Sequence, residues 1–61
     1  MILTVFKNVG DRFSVADAYQ KLISLFQNDL YARNKASGSL GGAVNGRTIV
    51  LNSDGYYERI R

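Results

Sequence analysis

The chain has 61 residues, a formal net charge of +3, and neither cysteine nor histidine. This composition excludes a disulfide framework, a zinc site built from cysteine and histidine, and catalysis by a histidine base or a thiol nucleophile. No apolar run approaches the roughly 18 residues that a membrane-spanning helix requires, and residues 1–7 are not built like a signal peptide. We therefore expect one cytoplasmic domain over residues 1–61, without metal or cofactor.

So small a domain has limited room for a hydrophobic core. Chains of about 60 residues bury only about 60% of the surface that they expose when unfolded, which leaves their stability marginal. Since disulfides and zinc are excluded, self-association is the remaining way to bury more apolar surface. We expect a homodimer.

The first predicted element is a strand over residues 1–7. Its residues are mostly β-branched or aromatic, and both faces are apolar except at Thr4, which is typical of a central strand covered on both sides. Both chain ends are expected to lie in the sheet. Residues 8–12 combine asparagine, glycine and aspartate, and they are interpreted as a turn that leads into a helix.

The longest predicted element is an amphipathic helix over residues 14–33. At about 100° per residue, its apolar side chains fall on one stripe, namely Val15, Tyr19, Leu22, Ile23, Phe26 and Leu30. Polar side chains, Asn28 among them, fall on the opposite side, which predicts that one face of the helix packs on a sheet. Leu22 and Phe26 lie at the centre of the stripe and are the predicted core residues.

The sequence specifies the beginning of this helix more clearly than its end. Ser14 is placed as the N-cap, and Asp17, three residues later, takes the position of the glutamate in a capping box. Asn34 and Gly38 follow the stripe and favour a C-cap. The helix is predicted to end between Tyr31 and Asn34.

Leu25 does not belong to the stripe. It lies about 100° from the centre of the stripe, beside Ala18 and Ala32, and it widens the apolar arc of the helix. Two interpretations stay open. Leu25 is an ordinary exposed apolar residue, or Ala18, Leu25 and Ala32 form the contact between the two copies of a homodimer.

Residues 37–42 are rich in glycine and serine and are predicted to form a loop that enters a strand. A phosphate-binding loop runs from a strand into a helix, whereas this stretch follows a helix, so a simple helix end is the favoured interpretation. A small anion site stays open as the alternative, because Arg33, Lys35 and Arg47 flank the stretch.

Two dipeptides typical of type I′ hairpin turns lie near the end of the chain, Asn45-Gly46 and Asp54-Gly55. Two tight hairpins in succession predict a three-stranded meander. Each turn glycine is expected to have a positive φ, because a type I′ turn requires one.

Two-residue turns fix the pairing of the predicted strands, with Leu51 opposite Glu58 and Ile49 opposite Ile60. The face toward the helix then holds Leu40, Gly42, Val44, Ile49, Leu51, Tyr56 and Ile60, and the open face holds Thr48, Val50, Asn52, Tyr57, Arg59 and Arg61. The predicted fold is α+β in the order β-α-β-β-β, with one amphipathic helix packed on one face of a small, mainly antiparallel sheet that ends in the meander.

The open face is the predicted binding surface, because Tyr57, Arg59 and Arg61 alternate along one strand. Tyrosine and arginine are enriched at the hot spots of protein interfaces. Aromatic and basic groups together also hold single-stranded nucleic acid. A solvated sheet face without a partner is the remaining interpretation.

The acidic residues offer little for catalysis. Asp11, Asp17, Asp29 and Asp54 have turn, cap or ion-pair roles available, and Glu58 is expected to pair with Arg47 or another base. We therefore predict no enzyme. The favoured function is a small protein-binding module that occupies the surface of an acidic partner protein. In size and composition alone it is similar to phage accessory proteins, including inhibitors of host defence.

The alternative function is binding of nucleic acid or a nucleotide. It would use the open sheet face or the glycine-rich stretch with its flanking basic residues. A net charge of +3 supplies few phosphate contacts, which makes this the second choice.

Overall fold

The computed structural model describes residues 2–27 and 29–61, and within them the fold is α+β, with three helices and a three-stranded antiparallel open sheet. In chain order the elements are α1 (Ile2–Val5), β1 (Arg12–Ser14), α2 (Val15–Leu25), α3 (Ala32–Asn45), β2 (Ile49–Leu51) and β3 (Tyr56–Arg59). The predicted α+β class is confirmed, whereas the order β-α-β-β-β with a single helix is wrong. Met1 and Asn28, predicted in a strand and a helix, lie outside the described residues.

The beginning of the chain is helical, and the predicted strand over residues 1–7 is wrong. The Phe6 N–H donates to the Ile2 carbonyl at 2.8 Å, which closes one turn of helix. Ile2 and Phe6 are both buried, since residues four apart lie on the same side of a helix. An uninterrupted apolar run lacks the alternation that distinguishes a strand from a buried helix, which explains the wrong prediction.

Helix α2 begins where the sequence predicts and ends much earlier. Ser14 is the N-cap, and its hydroxyl oxygen accepts a hydrogen bond from the Asp17 N–H at 3.1 Å. Leu22 is fully buried, as predicted. The helix ends at Leu25, and Phe26, predicted as a core residue, is its half-buried C-cap.

Residues 37–42, predicted as a loop, lie inside helix α3. This helix buries Ala32, Ala36 and Leu40, which recur every fourth residue and therefore share one face. Helices α2 and α3 pack against each other. In place of the predicted single helix over residues 14–33, the described residues form the two helices α2 and α3, and residues 26, 27 and 29–31 belong to neither.

The first predicted hairpin turn, Asn45-Gly46, is the end of helix α3. Asn45 is the last helical residue, and the Gly46 N–H donates to the Gly42 carbonyl at 2.9 Å. Gly46 has a φ of −80°, and the residue with positive φ is its neighbour Arg47, at 60°. The predicted three-stranded meander is therefore wrong.

The second predicted hairpin turn, at Asp54-Gly55, is confirmed, but its register is shifted by one residue. Gly55 has a φ of 85°. The Asn52 N–H donates to the Tyr56 carbonyl at 2.8 Å, so the loop covers residues 53–55. Three-residue loops with glycine at the last position are a common alternative to the two-residue type I′ turn.

This shift exchanges the two faces of β3. Val50 pairs with Glu58 and Leu51 with Tyr57, where the predicted pairing set Leu51 opposite Glu58. Because neighbouring residues of a strand point to opposite faces, Tyr57 joins the face that carries Ile49, and Glu58 joins the open face.

The sheet has the strand order β1-β3-β2, and each strand contributes one residue to the core. Phe13 of β1, Ile49 of β2 and Tyr57 of β3 pack toward the helices. The largest fully buried side chains are Phe6, Leu22, Leu40 and Ile49. Phe6 also meets Phe13 edge to face, with ring centroids 5.1 Å apart.

Candidate functional site

The connection between α2 and α3 exposes a cluster of large apolar side chains. Leu30 exposes 96% of its surface, Tyr31 64% and Leu25 44%. Together with the half-buried Phe26 they line a shallow depression of about 590 Å³. We call these four residues the apolar corner. Leu30, predicted to lie on the buried stripe of a long helix, is instead the most exposed large apolar residue of the described chain.

Asp29 holds the backbone of the apolar corner in place. Its carboxylate accepts a hydrogen bond from the Tyr31 N–H at 2.7 Å, and its own N–H donates to the Phe26 carbonyl at 2.7 Å. The Ala32 N–H then donates to the Asp29 carbonyl at 3.2 Å, which leads into α3. An aspartate that bonds to the backbone two residues on forms a turn by itself, so Leu30 stands out from the surface on a fixed loop.

An ion pair closes the polar side of this loop. Lys35 donates to the Asp29 carboxylate, and its ammonium group also lies 5.7 Å from the centre of the Phe26 ring. The hydrogen bond from Lys35, followed by the one from the Tyr31 N–H, lowers the pKa of the Asp29 carboxyl. The apolar corner therefore has a polar margin with no net charge.

Large apolar side chains occur both in the interior and on the surface of the described residues. Four of them are fully buried, whereas nine are exposed within the described residues. Scattered exposed apolar residues are normal on any protein surface. A contiguous exposed group, such as Leu25, Leu30 and Tyr31 in the apolar corner, is the feature that marks interaction sites.

The three residues predicted to bind a partner do not share one open face. Tyr57 is half-buried against the core, and this burial, followed by the nearby Tyr19, raises its pKa. Arg59 pairs with Ile49 on the helix-facing side of the sheet. Arg61 follows the last strand and is exposed. Tyr57 and Arg59 therefore lie on the helix-facing side of the sheet and not on its open face, because the observed register exchanges the two faces.

Arg59 has a structural role that the sequence did not indicate. One guanidinium nitrogen donates to the Phe6 carbonyl at 2.9 Å and to the Lys7 carbonyl at 2.8 Å. These carbonyls follow helix α1 and have no helical partner within it. Arg59 thus fastens the end of the first helix to the last strand.

The residues predicted to form a dimer contact also have different surroundings. Ala18 is fully buried and Ala32 is 9% exposed, and they belong to different helices. Only Leu25 is open to solvent, in the apolar corner. The dimer contact stays a prediction, of which the structure leaves only Leu25 exposed.

The residues predicted to form an anion site lie at opposite ends of α3. Arg33 and Lys35 are in its first turn, whereas Arg47 follows its last residue. A helix of this length is about 20 Å long, so the three cations do not converge on one small anion. The glycine-rich stretch between them is helical rather than a loop.

The open face of the sheet carries a polar network rather than the predicted binding residues. Arg12 contacts the Asp54 carboxylate at 2.5 Å and the Glu58 carboxylate at 3.7 Å. Asn52 donates to Glu58 at 3.0 Å, and the Arg12 guanidinium lies 5.1 Å from the centre of the Tyr56 ring. The prediction that Glu58 pairs with a base is confirmed, with Arg12 in place of Arg47.

The sequence contained a signal for the apolar corner that the prediction did not use. Asn28 and Asp29 are adjacent in the middle of the predicted helix. Both are poor helix formers, because their short polar side chains bond to the local backbone. This dipeptide followed by Leu30 and Tyr31 indicates an apolar loop between two helices.

Comparison of the chain with protein-family models, with curated proteins and with solved structures finds no match in any of the three. Within residues 2–27 and 29–61, no group of three or more acidic side chains is arranged to hold a metal ion. No helix in this part of the chain has the length and apolar character needed to cross a membrane.

Proposed function

We propose that this protein is a non-enzymatic protein-binding module that acts by occupying the surface of a partner protein through the apolar corner. The observation that carries the proposal is the exposure of Leu25, at the end of α2, together with Leu30 and Tyr31, on the loop that Asp29 fixes. A loop whose backbone is already held by hydrogen bonds loses less entropy on binding, which favours an interface.

The composition of the apolar corner fits the centre of a protein interface. Such centres are apolar, poor in charge and rich in aromatic residues, and a polar rim surrounds them. Tyr31 and Phe26 supply the aromatic groups, and the Asp29–Lys35 ion pair lies at the margin.

The size of the molecule is sufficient for this role. The chain exposes 4104 Å² in total. A standard interface needs about 800 Å² from each partner, or roughly a fifth of that surface. The small core of a single copy also favours a homodimer as one form of the interaction, because two copies can bury apolar surface against each other.

Catalysis is not part of the proposal. The chain has no histidine and no cysteine. Glu58 is engaged by Arg12 and Asn52, and Asp29 by Lys35. A module of this kind regulates or inhibits by covering a surface rather than by chemistry, as small accessory proteins do.

Capture from a cell lysate, with and without nuclease, tests the proposal against its alternative. The tagged wild type is compared with Leu30→Glu and with Leu51→Glu, a matched change at a leucine that is 51% exposed on β2. We expect the wild type and Leu51→Glu to retain the same proteins after nuclease treatment and Leu30→Glu to lose them. Capture that disappears with nuclease would instead favour nucleic-acid binding, which weakens steeply with salt.

Light scattering on the same three proteins tests the homodimer. We expect the wild type and Leu51→Glu to have the mass of a dimer and Leu30→Glu that of a monomer, since a charge in an apolar contact is strongly unfavourable. A Leu30→Glu variant with the oligomeric state of the wild type would show that the apolar corner is not the self-association surface.

A further inference from the structure

A second depression lies along helix α2 and shares no lining residue with the apolar corner. It is more enclosed than the corner and has a volume of about 730 Å³. Its lining residues are Val15, Ala16, Tyr19, Gln20, Ile23 and Arg33. We call it the α2 groove.

The wall of the α2 groove is a straight apolar row. Val15, Tyr19 and Ile23 are four residues apart on one helix, so their side chains stand one above the other. The row is about 12 Å long at the rise of an α-helix. Tyr19 and Ile23 pack against the core, which keeps them in position, while Val15 remains 38% exposed. Such a row suits an elongated apolar group better than a compact one.

Arg33 supplies the charge of the α2 groove. It is exposed in the first turn of α3, and none of the described lining residues is acidic. Within residues 2–27 and 29–61, no hydrogen bond or ion pair engages its guanidinium group, in contrast to Arg12 and Arg59. A guanidinium group matches the geometry of a carboxylate, which it binds through two parallel hydrogen bonds.

We propose that the α2 groove binds a medium-chain fatty acid. The acyl chain lies on the row of Val15, Tyr19 and Ile23, and the carboxylate pairs with Arg33. An apolar row joined to one unpaired cation, with no acidic residue in the described lining, complements an apolar chain that ends in one negative charge. This binding site goes beyond the proposed protein interaction, because none of its residues belongs to the apolar corner.

Titration with decanoate, followed by two-dimensional NMR of the isotope-labelled protein, tests the proposal. Decanol serves as the uncharged probe, and both are used below the concentration at which they aggregate. Arg33→Gln removes the charge, and Ala16→Leu fills the groove at an exposed helical position that tolerates leucine. Arg47→Gln, beyond the other end of α3, is the control with the same loss of charge.

We expect saturable shifts at residues 15–23 and at Arg33. Decanoate should bind Arg33→Gln about tenfold more weakly than the wild type, as the loss of a charge-assisted pair implies. Arg47→Gln should match the wild type, decanol should bind the wild type and Arg33→Gln equally, and Ala16→Leu should weaken both ligands.

Three outcomes would overturn the proposal. The first is the absence of saturable shifts with decanoate. The second is an equal loss of affinity in Arg33→Gln and Arg47→Gln, which would mean that the net charge of the protein, and not the position of Arg33, determines the affinity for decanoate. The third is shifts confined to residues 25–31, which would place the ligand on the apolar corner. Leu30→Glu leaves the α2 groove intact, so failure of the protein-binding proposal is detected separately.

Discussion

Helix α3 and the β2–β3 hairpin both contain glycine, and they depend on it in opposite ways. In the hairpin, Gly55 has a φ of 85°, a conformation that a residue with a Cβ adopts only with strain. In α3, Gly38, Gly41 and Gly42 have no such requirement, and beyond their chain neighbours and their own helical backbone no atom of the described residues lies within 4 Å of the position of an added Cβ. The turn therefore needs its glycine, whereas the helix forms despite three of them.

The hairpin turn is therefore determined by its own local sequence, whereas α3 depends on packing against the rest of the molecule. Three glycines inside a helix weaken it by about 3 kcal/mol in sum, relative to alanine. The burial of Ala32, Ala36 and Leu40, in a helix that packs against α2, offsets this deficit. Helix α3 is thus stable only as part of the assembled core.

The largest expected effect comes from the contact that joins the hairpin to the helical half of the molecule. Arg59→Ala removes both hydrogen bonds to the carbonyls of Phe6 and Lys7, and it should lower the free energy of unfolding by about 1 to 3 kcal/mol. Urea denaturation measures this change. Arg61→Ala is the control and should lie within about 0.5 kcal/mol of the wild type, because Arg61 is exposed. Equal stability of the two variants would mean that Arg59 contributes no more to folding than an exposed surface residue does.

The second prediction tests whether the hairpin turn depends on the backbone conformation of Gly55. Gly55→Ala forces a residue with a Cβ into the left-handed region, and it should lower the free energy of unfolding by about 1 to 2 kcal/mol. The melting temperature should fall by about 4 to 8 °C for each kcal/mol. A melting temperature unchanged from the wild type would mean that the turn does not need a positive φ at this position.

The third prediction replaces a glycine of α3 by alanine. The expected change in the free energy of unfolding is opposite in sign to that of Gly55→Ala. Gly41 is exposed in the interior of the helix and has open space where a Cβ would stand. Gly41→Ala should therefore raise the free energy of unfolding by about 0.5 to 1 kcal/mol. Calorimetry on this variant and on Gly55→Ala measures both changes in stability with one method. A destabilised Gly41→Ala would indicate that another chain packs closely on this face of α3.

The features that the sequence predicted correctly are those with a local cause. The N-cap at Ser14 depends on one side chain and a backbone group three residues away. The turn at Asp54-Gly55 depends on one dihedral angle. Leu22 lies at the centre of a stripe, so an error in the helix ends does not move it.

The features that the sequence missed depend on contacts between distant segments. The dipeptides Asn45-Gly46 and Asp54-Gly55 look alike, but Asn45 is the last residue of α3, a helix that packs against α2 and is buried at Ala32, Ala36 and Leu40. A loop of three residues in place of two reversed the predicted faces of β3 and placed Arg59 on the wrong side. The candidate site was found only at Leu25, since Leu30 and Tyr31 were assigned to a helix that ends before them.

The smallest expected effect concerns the loop that fixes the start of α3. The hydrogen bond from Lys35, followed by that from the Tyr31 N–H, lowers the pKa of Asp29 below its ordinary value of 3.8. A lowered pKa in the folded state means that the ionised carboxylate stabilises the fold above pH 3.8 and that this contribution is lost as the pH falls through the folded pKa. Asp29→Asn keeps an oxygen for the Tyr31 N–H and removes the titration, so its stability should approach that of the wild type as the pH falls. NMR titration of the Asp29 carboxyl gives the direct measurement, in which Lys35→Met should raise the midpoint relative to the wild type. An unchanged midpoint in Lys35→Met would mean that the ion pair does not hold the loop and that Leu30 is exposed by the backbone turn alone.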